Sequence, residues 1–267
     1  MKMKKIKYIF CINTGRSGSH YLSKVFSHVS GCLAFHEPNP IGNGKAMIQY
    51  LKGNSRLMER LTQQKVDRIK ELKNKKNFSV YVETNHCFIK GFGWLIPNYL
   101  PEDEIGVVIL KRDKAKIAKS LLRIGFSPLN QGSRGWIATP EIKNPLVEPP
   151  SLALIPPRIS YYLAYSLNRC IIFLKKRYHN LTLLKVPTWL TSYELKCLHW
   201  YVDETYAQSI AFKEKFKQIK YYEITLESLN STKEVNKMLD HFGLRSDKSL
   251  SDIIGNPTNL RNNTKDN

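Results

Sequence analysis

Thr14-Gly15-Arg16-Ser17-Gly18-Ser19 gathers two glycines, three hydroxyls and one guanidinium into six residues. Glycine lets successive backbone N–H groups turn toward one point, and a helix starting there adds its positive end. That combination suits an anion, most often a phosphate; a plain Gly/Ser connection is the competing reading. The spacing is not that of the nucleotide triphosphatase loop, which needs four residues between its glycines and then Lys and Ser or Thr. Here only Arg16 and Ser17 separate Gly15 from Gly18, so the cation lies inside the turn. Four more side chains able to hold charge or move a proton stand beside apolar runs: Glu37, Glu83, His86 and Arg112.

The elements around these residues alternate. Ile6 to Ile12 reads as a buried strand feeding the turn, and His20 to Val29 as the helix leaving it, with Tyr21, Leu22, Val25, Phe26 and Val29 at helical spacing. Gly31 to Phe35 is a second strand ending at His36-Glu37. Lys45 to Lys75 is helical in two pieces broken near Gly53-Asn54, and Phe78 to Val82 is a third strand followed by Glu83 and His86. Ile105 to Leu110 is an aliphatic run broken only by its glycine, and it leads through Lys111-Arg112-Asp113 into a helix from Lys114 to about Ile124. Strands alternating with helices predict parallel βαβ units in an α/β domain, a central parallel sheet flanked by helices. Ligands of such sheets bind beyond the carboxyl ends of the strands. Arg16, Glu37, Glu83, His86 and Arg112 all fall at such ends, which points to one cleft. His36, next to Glu37, is set aside because neighbouring strand residues face opposite sides.

Phe126 to Pro157 is rich in proline and reads as a long irregular loop, a class that includes lids and binding loops. Ser160 to Tyr178 and Ser192 to Phe216 read as helices, with Leu181 to Val186 a short strand between them. Tyr221 to Thr225 closes the strands and Thr232 to Phe242 is a helix stopped at Gly243. The tail after Asn256 is polar and reads as loose. With no repeat and no linker, residues 1–267 form a single domain, about 126–218 being a loop-and-helix portion.

The net charge of +20 implies an acidic partner, although runs such as Lys65 to Lys76 also suit a solvated helix face. Cys11, Cys32, Cys87, Cys170 and Cys197 lack metal-ligand spacing and read as reduced, packed thiols, so no metal is expected. The basic N-terminus precedes an apolar run too short to span a bilayer and without a cleavage site, so the chain reads as cytoplasmic with no transmembrane segment.

Ile12 to Leu22 resembles the 5′-phosphosulfate loop of sulfotransferases that use 3′-phosphoadenosine 5′-phosphosulfate (PAPS). Val107 to Asp113, with Ser120 eight residues past Arg112, is similar to that family's 3′-phosphate site, and Tyr221 to Gly243 resembles its closing strand and helix less specifically. The resemblance implies a P-loop NTPase-like sulfotransferase fold and sulfuryl transfer from PAPS to a hydroxyl of a carbohydrate, lipid or small-molecule acceptor. It implies that Ser17, Gly18, Ser19 and His20 hold the 5′ phosphate, that Arg16 neutralises the oxygen freed in transfer, and that Arg112 and Ser120 hold the 3′ phosphate. Glu37 is the first candidate base, His86 the second and Glu83 the third. Tyr222 near the adenine, Arg261 near the 3′ phosphate, and Trp200 and Tyr201 beside the acceptor are weaker carry-overs, the last two equally readable as core. The acceptor portion resembles the family only around Trp200.

Two other classes fit parts of the sequence. A P-loop nucleotide kinase or phosphatase would share the sheet, but should carry the lysine-bearing loop and a metal-holding aspartate. A non-enzymatic basic nucleic-acid-binding protein accounts for the charge and leaves the ordered pair of anion motifs unexplained.

Overall fold

A computed structural model describes residues 5–151, 157–178, 188–246 and 250–255. Among these residues five strands form one fully parallel sheet: β1 (Tyr8–Ile12), β2 (Cys32–His36), β3 (Val80–Thr84), β4 (Ile105–Lys111) and β5 (Lys220–Thr225). Their order is β2-β3-β1-β4-β5, so β1 is central and pairs with β3 and β4. Every residue of β1 is buried, as expected of a strand covered on both faces.

Alternation divides the strand side chains between two apolar layers. On one face Ile9, Cys11, Val82, Val108 and Leu110 pack against α1 (Ser19–Phe26) and α7 (Thr232–His241). On the other, Tyr8, Phe10, Ile12, Val107 and Ile109 meet α3 (Arg56–Lys75) and Phe212 of α6 (Thr188–Lys215). Gly106, the one break in the aliphatic run of β4, lies under Phe242; a Cβ there would come 2.7 Å from that ring, so the glycine makes room for the close of α7. A third cluster joins α4 (Lys114–Arg123) to α6 through Ile117, Leu121, Leu198 and Tyr201. Before α3 comes the short α2 (Lys45–Leu51), and before α6 comes α5 (Pro157–Arg177).

The described part of the proline-rich stretch, 126–151, is irregular apart from a short 3-10 turn at Gln131–Gly135, yet it is anchored. Gly44 N donates to Gly135 O at 2.7 Å and Lys143 N to Leu51 O at 2.7 Å. Glu204, 1% exposed, accepts from the backbone N–H groups of Leu146 and Val147. The expected strand at Leu181 to Val186 and the tail after Asn256 lie outside the described residues.

One boundary changes the chemistry. β3 runs to Thr84 rather than stopping at Val82, so Glu83 is a mid-strand residue, paired in register with Phe10 and Phe35. Its side chain is fully buried and accepts from Lys65 Nζ at 2.6 Å, Tyr81 Oη at 2.8 Å and Asn85 Nδ2 at 2.9 Å. Lys65→Met leaves this carboxylate without its cation and should cost about 3–5 kcal/mol of unfolding free energy. Urea denaturation of Lys65→Met and of Lys65→Met with Glu83→Gln checks this: the double variant should recover most of the loss, and an unchanged single variant would remove the pair from the core's support.

Candidate functional site

The carboxyl ends of β1, β2, β3 and β4 open onto one cleft of about 910 Å³. Its floor is the loop leaving β1. Asn13 Oδ1 accepts from Gly15 N at 2.9 Å and begins the turn; Gly15, Arg16 and Gly18 then take φ of 73°, 57° and 99°. A left-handed conformation costs a residue with a Cβ about 1–2 kcal/mol, and two long-range hydrogen bonds hold Arg16 in it. Its carbonyl accepts from Arg112 Nη1 at 2.7 Å, and its Nε donates to Ser120 Oγ at 3.0 Å. At Gly18 a Cβ would lie 2.4 Å from Leu226 Cδ1, so both φ and space call for glycine.

Gly18 is the N-cap of α1, and no side chain caps this end. The first helix-closing bond runs from Leu22 N to Gly18 O at 3.0 Å, which leaves the N–H groups of Ser19, His20 and Tyr21 without acceptors inside the helix. At the start of α4, by contrast, Asp113 accepts from Lys116 N at 2.8 Å and fills that role itself. Ser17 Oγ and Arg112 Nε are buried with no hydrogen-bond partner. Orphaned donors cost stability unless something meets them; one belongs to the loop after β1 and the other to the β4–α4 junction. Lys116, Lys119 and Arg123 of α4 extend the cationic wall beyond Arg112.

α6 fixes both segments from behind. Tyr201 Oη donates to Thr14 O at 2.5 Å. Five residues on, Tyr206 Oη accepts from Arg112 N at 3.0 Å and donates to Arg112 O at 3.2 Å.

Across the cleft, Glu37 follows the last residue of β2 with φ 49° while its N–H still donates to Thr84 O at 3.2 Å. The left-handed residue breaks strand alternation, and His36 and Glu37 both line the cleft, His36 Nε2 lying 3.9 Å from Glu37 Oε1. His36, excluded on the alternation argument, therefore joins the site. Burial holds its pKa below the ordinary imidazole value despite Glu37. Its Nδ1 is 3.1 Å from Thr84 O, and only a protonated Nδ1 can bond a carbonyl.

His86 Nδ1 donates to Glu37 Oε1 at 2.5 Å, its ring stacks on Trp136 at 5.6 Å, and its Nε2 lies 3.7 Å from Cys87 Sγ. Burial pushes the Glu37 carboxyl up, but the His86 hydrogen bond and the charges of His86, His36 and Lys90 outweigh it and leave the pKa below the usual carboxylate value. Burial and the Lys90 charge pull His86 down, and the Cys87 thiolate and Glu37 outweigh them and bring it above the ordinary imidazole value.

Among the residues expected from sequence, Arg16, Gly18, Ser19, His20, Glu37, His86, Arg112 and Ser120 line this cleft. Ser17 is fully buried within its floor. Glu83 is turned away, held by Lys65. Tyr222 is not at the cleft: in register with Val108 at mid-strand, it packs on His241 and Phe242, and Leu226, just past β5, lines the cleft instead. Trp200 is core, its Nε1 donating to Val147 O at 2.9 Å, and Tyr201 serves the loop through Thr14 rather than lining the cleft. Arg261 lies outside the described residues. Tyr206 and Trp136 had no sequence signal beyond aromaticity. Among the described residues no three His, Cys, Asp or Glu side chains are grouped to hold a metal. The chain matches no protein-family model and no curated protein.

Lys90 backs the cleft wall, buried, its Nζ donating to Trp136 O at 2.5 Å and to Tyr201 Oη at 2.9 Å. Burial brings its pKa down from 10.5 to about 8, against the opposing pull of Cys87 and Glu37. The folded state thus binds fewer protons than the unfolded chain between those values, and stability rises with pH there. Between pH 8 and 9.5 the wild type should gain up to about 2 kcal/mol that Lys90→Met does not. Urea denaturation across that range reads the difference; parallel curves would show that Lys90 keeps an ordinary lysine pKa in the folded state.

Proposed function

We propose that this protein transfers a sulfuryl group from PAPS to a hydroxyl acceptor, on a P-loop NTPase-like sulfotransferase fold. One observation carries the reading: the loop after β1 and the β4–α4 junction are hydrogen-bonded to each other, Arg16 to Ser120 and Arg112 to Arg16 O, and open on one cleft. A small nucleotide with anionic groups at two ends needs two such grips side by side. The orphaned Ser17 Oγ and Arg112 Nε, and the uncapped start of α1, fit those groups. The sheet order, with the loop on the central strand, supports the same reading. Asp113, the acid at the end of β4, caps α4, which weighs against a kinase-like metal site.

When bound, PAPS supplies a sulfuryl group activated by its link to phosphate. The N–H groups of Ser19, His20 and Tyr21 and the Arg16 guanidinium stabilise negative charge on the oxygen that departs. Arg112 and Ser120 hold the second phosphate, arginine gripping two oxygens at once. Glu37 accepts the acceptor's proton: its Oε2 is not engaged by His86, it lines the cleft, and its depressed pKa keeps it ionised at neutral pH. His86 has Nδ1 on Glu37 and Nε2 against Cys87, so it positions the carboxylate rather than taking the proton.

Calorimetry with adenosine 3′,5′-bisphosphate tests the donor site. The wild type should bind; Arg112→Ala should weaken binding by about 10- to 100-fold and Ser120→Ala by about 2- to 10-fold. A wild type that does not bind, or two variants that bind as tightly, would end the assignment.

Transfer assays with labelled PAPS and a panel of hydroxylated acceptors test the base. Glu37→Gln should lower kcat by about 10²–10⁴-fold with bisphosphate affinity unchanged. His86→Asn removes a partner that holds the Glu37 pKa down, so the acid limb of activity should move to higher pH. An acid limb that stays in place would remove His86 from this role.

A further inference from the structure

We propose that the exposed face of α5 is a docking surface for an anionic phospholipid bilayer. The proposal does not depend on the sulfuryl-transfer reading. Most of the large apolar side chains exposed in the described chain lie on this one helix: Phe173 is 61% exposed, Leu163 53% and Ile159 52%, with Leu167 and Leu174 also exposed. Ile159, Leu163, Leu167 and Leu174 recur at helical spacing and form a stripe, while Ala164 and Ile171, seven apart, are buried along its flank. A contiguous apolar face of this kind on a helix surface marks an interaction site.

Charge identifies what would cover it. From Pro149 to Tyr193 the sequence contains no Asp or Glu, but carries Arg158, Arg169, Lys175, Lys176, Arg177 and Lys185. Arg169 and Arg177 are exposed on the helix itself. An apolar stripe accompanied by cations alone suits the boundary between lipid headgroups and acyl chains, where the stripe enters the hydrocarbon edge and the cations meet lipid phosphates. A second copy of the chain is the poorer occupant, because α5 against α5 would bring the same arginines together with no carboxylate to pair them. The helix lies on the surface rather than crossing it: no described helix is long and apolar enough to span a bilayer. It also touches the segment that carries Trp136, since the Tyr162 ring lies 5.7 Å from the guanidinium of Arg134, two residues before it.

Flotation with lipid vesicles tests this, using phosphatidylcholine alone and a two-to-one mixture with phosphatidylglycerol, at about 0.1 M and about 0.5 M salt. A chain of this net charge will be drawn to anionic vesicles in any case, so the deciding variant keeps the charge and removes the stripe: Leu163→Ser with Phe173→Ser. The wild type should float with the mixed vesicles, far less with phosphatidylcholine, and retain part of its binding at high salt. The double variant should bind at least tenfold more weakly at both salt concentrations, with an unchanged circular dichroism spectrum. Phe173→Trp gives a second reading that needs no loss of stability: its added fluorescence should be quenched by brominated lipid in the mixed vesicles. The proposal is overturned if the wild type does not float, if the double variant floats equally well, or if Phe173→Trp is not quenched. It is also overturned if sedimentation shows a wild-type dimer that the double variant dissolves, for then the stripe is a contact between copies.

Discussion

Arg112 donates from its guanidinium to the carbonyl of Arg16, and the geometry of the cleft depends on that bond. It ties the end of β4 to the loop leaving β1, two strands that are already neighbours in the sheet. A hydrogen bond from a charged donor contributes about 1.5–3 kcal/mol, enough to offset the left-handed conformation at Arg16. Without it, nothing in the local sequence would hold a non-glycine residue there. The bond also brings two guanidinium groups to one loop, an arrangement that like charges oppose and that a bound anion would relieve.

A helix outside the two anion motifs does much of the positioning. α6 spans 28 residues, and its tyrosines at 201 and 206 reach the backbone of Thr14 and of Arg112. Each hydroxyl meets a main-chain group that a strand leaves unpaired where it exits the sheet. The same helix holds the irregular 126–151 segment through Glu204, and that segment in turn carries Trp136 to the face of His86. Burial and hydrogen bonding thus stand in for regular secondary structure on that side of the cleft.

Two carboxylates near the carboxyl edge of the sheet come to opposite ends. Glu83 sits within a strand, where alternation drives its side chain into an apolar layer, and it persists as a charge because Lys65, Tyr81 and Asn85 satisfy it. Glu37 sits one residue beyond its strand, where a positive φ releases it from alternation and turns it to solvent and to His86. A shift of one or two residues in a strand boundary separates a structural ion from a group able to take a proton.

The alternation of strands and helices was legible because each strand of a parallel sheet must be apolar on both faces and each covering helix apolar on one, and Ile105–Lys111 and α1 carry those patterns within short windows. The loop between Gly15 and Gly18 was equally legible, since positive φ and a 2.4 Å approach at Gly18 leave glycine as the residue that fits. These are local demands, and sequence records local demands directly. The contacts that decide the site are not local: Arg16 meets Ser120 and Tyr201 meets Thr14 across more than a hundred residues. The inclusion of His36, the withdrawal of Glu83 and Tyr222, and the pairing of His86 with Glu37 all turn on where strands end and which side they face. Those endings are set by the ladder partners on either side, so only the assembled sheet could decide them.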